Sequence, residues 1–169
     1  MATDTQVGAR RVSVTNPATG QALGEFECAS VDDVQQAVHR AHEAQLSWWR
    51  RTSVQERLEV LKKFQHLLID RKQQVARTIT SEAGKPYVEA LLTEVLVVLD
   101  AARFLLQESH GFLRDQPVPH GSLATKAKSG RLIRQPYGVI GIISPWNYPF
   151  SILATESLAA LVTGNAVVL

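Results

Sequence analysis

The chain of 169 residues has little of several features that mark special classes of protein. A single cysteine, Cys28, excludes a disulfide within the chain and is typical of a reducing, cytoplasmic compartment. The formal net charge is only +2, and no basic stripe with interleaved aromatic residues occurs, so we expect no nucleic-acid partner. No apolar run reaches the roughly 20 uninterrupted residues that a transmembrane helix needs, and residues 1–11 lack the shape of a signal peptide, so we expect no membrane partner.

Metal-binding and dinucleotide-binding fingerprints are also missing from the sequence. His39 and His42 are spaced one helical turn apart and His66 falls on another predicted helix, but no cysteine or carboxylate cluster completes a ligand set, so no metal site is expected. The glycine-rich G-x-G-x-x-G pattern does not occur. What remains is an ordinary globular composition, 45% hydrophobic and 20% charged, which can bury a core.

Residues 136–169 are the stretch around which the chain is organised, with Glu156 as their one charged side chain. A β-branched run over 139–143 predicts a buried strand, and 144–149 are turn residues. The pattern predicts an apolar helix over 150–162, a stop at Gly164 that needs positive φ, and a second strand from 165. Such a strand–helix–strand unit is a βαβ crossover and requires a parallel sheet.

Upstream, the pattern predicts a hairpin followed by a layer of helices. Serines precede two of these helices as N-caps, and Ser53 begins a capping box with Glu56. Asp70-Arg71 predicts a break in the second helix, and Pro86 opens a long apolar-faced helix. The predicted strands are 12–14 and 23–27. The predicted helices run from Ser30 to about 47, from Ser53 to 70, from about 75 to Gly84, and from Pro86 to about 109. Trp48-Trp49 is predicted to anchor the end of the first helix.

Residues 111–122 carry Pro117, Pro119 and Gly121 and predict a loop. The following residues predict a hairpin, with strands at 123–128 and 131–135 around a turn at Ser129-Gly130. An ordinary edge hairpin and a partner-binding arm are both compatible with this pattern.

Four phrases carry a resemblance to one family. They are VTNPATGQALGEF (14–26), SEAGKP (81–86), PWNYP (145–149) and GNAVVL (164–169), which together resemble the aldehyde dehydrogenase superfamily over about residues 12–169. The resemblance implies an α/β fold, in which residues 12–110 form a β-hairpin and helical layer, 111–135 a loop and projecting oligomerisation hairpin, and 136–169 the start of a parallel Rossmann-like sheet. We expect residues 1–11 to be a disordered start. Because the chain ends inside a predicted strand, we expect it to be the N-terminal part of a longer protein.

The function implied by this resemblance is oxidation of an aldehyde to a carboxylate with NAD or NADP. In the family, the asparagine of PWN stabilises the oxyanion formed when a cysteine thiolate attacks the aldehyde, which assigns that role to Asn147. The backbone of Ile143, Ser144, Pro145 and Trp146 matches the positions that line the cofactor, at the carboxyl end of a strand. The resemblance also implies a homo-oligomer, a dimer or a tetramer.

Several alternatives stay open at this point. Asn147 could merely cap the turn or helix, and Pro145 and Trp146 could be a strand stop and a packing residue. Cys28 follows two glutamates, which disfavours a reactive thiolate, so we interpret it as an inert small residue and expect the segment alone to be inactive. A different class of function is a non-catalytic helical assembly module that binds partners through the hairpin.

Overall fold

The computed structural model describes residues 10–119, 121–122, 124 and 126–169. The predicted disordered start lies mostly outside these residues, and its boundary is slightly wrong because Arg11 already begins a strand. Strands β1 (Arg11–Thr15) and β2 (Ala22–Glu27) pair antiparallel, as predicted, around a turn in which Asn16 Oδ1 accepts the N–H of Ala18 at 2.9 Å.

Helices α1 (Val31–Arg51) and α2 (Val54–Ala83) both begin at capping boxes. At each start, the serine hydroxyl accepts the N–H of the third helical residue, whose carboxylate in turn accepts the serine N–H, so two otherwise unpaired donors are satisfied. Helix α1 is longer than predicted. Trp48 and Trp49 lie inside it, whereas the sequence pattern placed them just beyond its end.

The predicted break at Asp70-Arg71 is wrong, because α2 is one continuous helix of 30 residues. Leu68 and Ala76 are both buried, so the apolar stripe continues past this point, while Asp70 and Arg71 are exposed. Two charged residues on the solvent face do not interrupt a helix whose buried face is continuous.

The next helix is also longer than predicted and is not uniform. Gly84 ends α2 in the left-handed conformation, at φ 70°, as expected of a glycine C-cap. A short helix α3 (Tyr87–Glu89) leads into a π-helical segment (Ala90–Val95) and then α4 (Leu96–Leu113). The π segment has no signature that the helical pattern could reveal.

In the second hairpin, the first predicted strand is wrong, and the second begins one residue earlier than predicted and ends at Leu132. Strand β3 (Gln116–Val118) lies in the predicted loop and pairs antiparallel with β4 (Gly130–Leu132), so Gly130 is a strand residue rather than a turn residue. The predicted strand over 123–128 is not formed by its described members: residue 124 lies in a single 3₁₀ turn and residues 126–127 in a turn, while 123 and 125 lie outside the described residues. Short-range alternation misplaced the strands because β3 and β4 are only three residues long and are joined by a longer loop.

The strand–helix–strand unit forms as predicted. Strands β5 (Val139–Gly141) and β6 (Ala166–Val168) are parallel, joined by α5 (Ser151–Val162), and Gly164 has φ 90°. Strand β5 is shorter than predicted, because its last ladder bond is the Ile142 N–H to the Val168 carbonyl at 2.9 Å.

The core lies between α2, the π segment, α4 and α5. Even so, the chain exposes 12272 Å², whereas a compact monomer of 18.6 kDa exposes about 8200 Å² by the usual scaling of area with mass. Apolar side chains contribute to this surface, with Tyr137, Ile143 and Trp146 all at least 87% exposed. No helix in the described part of the chain is long and apolar enough to cross a membrane.

Candidate functional site

The five predicted site residues lie together in one segment that leaves the carboxyl end of β5. Ile142 is the last buried residue before this segment, and Phe150 precedes the first turn of α5. Ile143 is 100% exposed and Trp146 is 87% exposed. Ser144 is half-buried and Pro145 is exposed beside them.

Asn147 lies in the turn over residues 146–150 and is exposed. Its side-chain amide makes no hydrogen bond to any residue that the structure describes, so both amide N–H groups can reach a ligand. An amide turned inward and used by the turn itself would argue against a chemical role, and this is not what is observed. A cavity of about 370 Å³ is lined by Pro149 and Phe150 together with residues of α2, and Asn147 is not among its lining residues.

The backbone of this turn is held by Lys85, which follows the Gly84 cap. Lys85 Nζ donates to the Asn147 carbonyl at 3.0 Å and lies 3.9 Å from the centroid of the Tyr148 ring. The same ammonium is 2.6 Å from Glu94 Oε1, and the two side chains are 9% and 0% exposed. Lys85 belongs to the SEAGKP phrase, and the sequence pattern assigned it no role at this turn.

Glu94, in the π segment, caps α5 from outside that helix. Its Oε2 accepts the N–H of Ser151 at 2.8 Å and that of Phe150 at 3.2 Å. Phe150 occupies the N-cap position and has no side-chain oxygen with which to do this. A carboxylate at a helix N-terminus satisfies unpaired donors and interacts favourably with the helix dipole.

The opposite end of α5 is held by side chains of α1 and α2. They donate to backbone carbonyls at and just beyond the last turn of the helix, of which Leu161 O also accepts the Gly164 N–H. Burial lowers the pKa of the Arg57 guanidinium, opposed by the neighbouring Glu56 carboxylate, and the guanidinium stacks 5.2 Å from the centroid of the Trp49 ring. The bonds join Gln45 Nε2 to Gly164 O at 3.1 Å, Trp48 Nε1 to Leu161 O at 3.0 Å, and Arg57 Nε to Val162 O at 2.9 Å.

Two other residues singled out from the sequence lie elsewhere. Cys28 follows β2 on the first hairpin and is half-buried. Glu156, on α5, is exposed, so it is not a buried member of an ion pair. Among the described residues, no group of three or more His, Cys, Asp or Glu side chains is arranged to hold a metal ion.

Sequence reasoning missed Lys85 and Glu94 as parts of this site. One signal was present: Glu94 interrupts the apolar run from Leu91 to Leu99, and a carboxylate on a buried face needs a partner. The partner could not be identified, because Lys85 and Asn147 are far apart in the sequence and meet only through the packing of α5 on the π segment.

Comparison with known proteins places this geometry in a family. The family model for the aldehyde dehydrogenase family matches residues 3–169. The chain is 35% identical to 4,4'-diapolycopene aldehyde oxidase from a Methylomonas species over 158 residues, which are 94% of this chain and 30% of that protein. It therefore spans about a third or less of the length of the curated relatives it matches.

Solved structures agree with this assignment. NADP-dependent glyceraldehyde-3-phosphate dehydrogenase from Bacillus halodurans, complexed with NADP, has a TM-score of 0.81 and 31% identity over 94% of this chain and 33% of that one. A putative methylmalonate-semialdehyde dehydrogenase from Sinorhizobium meliloti, complexed with NAD, has a TM-score of 0.85 and 29% identity over 95% of this chain and 32% of that one. The chain thus has the fold of the first third of these proteins, and it belongs to the aldehyde dehydrogenase family.

Proposed function

We propose that this chain supplies the oxyanion donor and one wall of the cofactor cleft for the NAD- or NADP-dependent oxidation of an aldehyde to a carboxylate. The proposal rests on the exposure and the hydrogen bonding of Asn147. Its amide is exposed and makes no hydrogen bond among the described residues, while the backbone that bears it is bonded to a buried lysine. A neutral donor held in a fixed place can stabilise a negative oxygen without having to reorganise.

In this proposal, the Asn147 side-chain N–H donates to the aldehyde oxygen as a cysteine thiolate attacks the carbonyl carbon and the oxygen gains negative charge. Loss of hydride from the resulting thiohemiacetal leaves a thioester, which a glutamate-activated water then hydrolyses to the carboxylate. We assign the nucleophile and the general base to no residue of this chain, whose one thiol, Cys28, lies on the first hairpin. NAD or NADP, when bound, accepts the hydride.

The segment of Ile143, Ser144, Pro145 and Trp146 fits a cofactor surface. It leaves the carboxyl end of a parallel strand, where open α/β sheets bind nucleotides, and its two large apolar side chains are exposed. We propose that its backbone lines the cofactor.

Two further parts of the proposal concern assembly and location. Strands β3 and β4 are exposed throughout, as expected of an arm that pairs with another subunit in a homo-oligomer. Sedimentation velocity would show a dimer or larger species, and a monomer at micromolar concentration would argue against pairing by this chain alone.

The single cysteine is the basis for proposing a cytoplasmic, reducing compartment.

The first test is an assay of the 169-residue chain with NAD or NADP and a panel of aldehydes. We expect no cofactor reduction above the rate without protein. Turnover would contradict the placement of the nucleophile outside this chain.

The second test uses a chimera in which this chain replaces the matching third of the Bacillus halodurans enzyme. We expect Asn147→Ala to lower kcat by roughly 100- to 1000-fold, which is typical for loss of one oxyanion donor. Asn147→Asp is the discriminating variant. Asp is as good as Asn in turns and caps but cannot donate from a charged carboxylate, so a turn residue would tolerate it and an oxyanion donor would not.

Two outcomes would refute the role of Asn147 in a folded, active chimera. One is full activity of Asn147→Asp, and the other is a loss of cofactor affinity with no loss of kcat. Cys28→Ser is the matched control, and we expect it to leave kcat within twofold of the parent value.

A further inference from the structure

We propose that Lys85 and Glu94 are positioning residues that fix the turn carrying Asn147, and that this is why the buried ion pair exists. The inference rests on the proposed function for its meaning in catalysis, but its structural content can be tested separately. Apart from the contact of Lys85 with the Tyr148 ring, the pair bonds the turn through main-chain atoms, so the Asn147 side chain stays available for a ligand.

The two partners divide the turn between them. Lys85 Nζ bonds the Asn147 carbonyl and packs on the Tyr148 ring, which holds the start of the turn. Glu94 Oε2 accepts the N–H groups of Phe150 and Ser151, which holds its end. Lys85 Nζ and Glu94 Oε1 are themselves 2.6 Å apart. The turn is therefore bonded to one ion pair, formed by the residue after Gly84 and a residue of the π segment.

Stability alone does not account for this arrangement. Moving two charges from water into a protein core is unfavourable, and replacing a buried ion pair by uncharged groups of similar shape is often neutral or stabilising. An apolar pair could fill the same volume, but it could not bond the Asn147 carbonyl or the N–H groups of α5. Orientation of the turn is therefore what the charged pair adds.

The informative variant is the double substitution Lys85→Met/Glu94→Gln. Lys85→Met alone would leave an uncompensated carboxylate in the core and destabilise the whole chain. In the double variant no charge is left behind, and the Gln carbonyl can still accept from Phe150 and Ser151. The bond to the Asn147 carbonyl is lost, together with the contacts of the Lys85 ammonium with Glu94 and with the Tyr148 ring. The matched control is Lys62→Met/Glu59→Gln, which makes the same change of composition on the exposed face of α2.

The experiment measures ¹⁵N relaxation and amide exchange on the labelled 169-residue chain. For the double variant we expect an unfolding midpoint near that of the parent and continued protection of the Ser151 amide. The order parameter of the Asn147 backbone N–H should fall from the rigid value of about 0.85 to below about 0.6. The control variant should leave it unchanged. An unchanged order parameter at Asn147, or loss of cooperative unfolding in the double variant, would overturn the proposal.

The chimera separates this inference from the proposed function. If Lys85 acts through Asn147, the double variant lowers kcat at least tenfold with little change in the cofactor KM, and it has no further effect once Asn147 is alanine. A loss of rate on Asn147 substitution without a loss in the double variant overturns the positioning role alone. If the double variant loses order at Asn147 but the chimera tolerates Asn147→Asp, the proposed function is overturned. In that case Lys85 and Glu94 still hold the turn in place.

Discussion

Replacing Gly164 by alanine tests how tightly α1 is locked onto the end of α5. Gly164 has φ 90°, a conformation that L side chains rarely adopt. An added Cβ would lie 2.4 Å from Cε3 of Trp49 and 3.0 Å from its Cζ3. The indole cannot simply move aside, because the Arg57 guanidinium stacks on it and is itself bonded to the Val162 carbonyl.

Three contributions set the expected magnitude. Positive φ disfavours alanine by about 1–2 kcal/mol. Forcing a methyl group into a packed contact costs about 1–3 kcal/mol. Restricting the unfolded chain returns about 0.4–1 kcal/mol. We expect Gly164→Ala to lower the free energy of unfolding by about 1–5 kcal/mol, and at a urea m-value of about 2 kcal/mol/M the midpoint falls by about 0.5–2.5 M.

Two other glycines are controls in the same urea titration. Gly20 has φ 71° with no atom within 4 Å of an added Cβ, so Gly20→Ala isolates the backbone contribution. Gly111 lies in α4, also with open space around it, so Gly111→Ala should stabilise by about 0.5–1 kcal/mol. A Trp49→Leu/Gly164→Ala variant should recover part of the steric contribution as a non-additive coupling.

A Gly164→Ala variant that is destabilised no more than Gly20→Ala would contradict this expectation. The contact with Trp49 would then be loose, and the junction between α1 and the end of α5 would not be locked. A fully additive Trp49→Leu/Gly164→Ala variant would lead to the same conclusion.

The remaining predictions concern the capping boxes. Ser53→Ala should lower the free energy of unfolding by about 1 kcal/mol in the same titration, and no change would show that α2 does not depend on its cap. Hydrogen bonds from Ser30 and Ser53 hold the pKa values of Asp33 and Glu56 below their ordinary values of 3.8 and 4.5. A lowered folded-state pKa gives stability that is present above the ordinary pKa and is lost as pH falls through the folded one. Stability should therefore fall on acidification from about pH 5 to pH 2 more steeply in the parent than in a Ser30→Ala/Ser53→Ala variant, and parallel curves would contradict this.

Local rules predicted what local interactions decide. The capping serines, the Gly84 and Gly164 stops and the βαβ unit depend on residues within a few positions of one another, and all are found in the structure. The stretch from Ile143 to Asn147 was identified by its resemblance to a family phrase, and the structure gives its placement and exposure.

The errors arose where distant packing decides. Helix α2 continues through Asp70-Arg71 because the stripe around Leu68 and Ala76 packs on other helices, which no local pattern shows. The support of Asn147 by Lys85 likewise depends on contacts across 62 positions of the sequence. The hairpin β3–β4 was misplaced because strands of three residues carry too little alternation to fix a register.

The attachments of α5 have a mechanical consequence. The Glu94 carboxylate accepts two N–H groups at the amino end of the helix. Three side chains donate to carbonyls at its carboxyl end, those of Gln45, Trp48 and Arg57. These five hydrogen bonds oppose any sliding of the helix along its axis. We therefore expect the helix and the layer formed by α1, α2 and the π segment to be displaced together. Any displacement of that layer should carry the Asn147 turn with it.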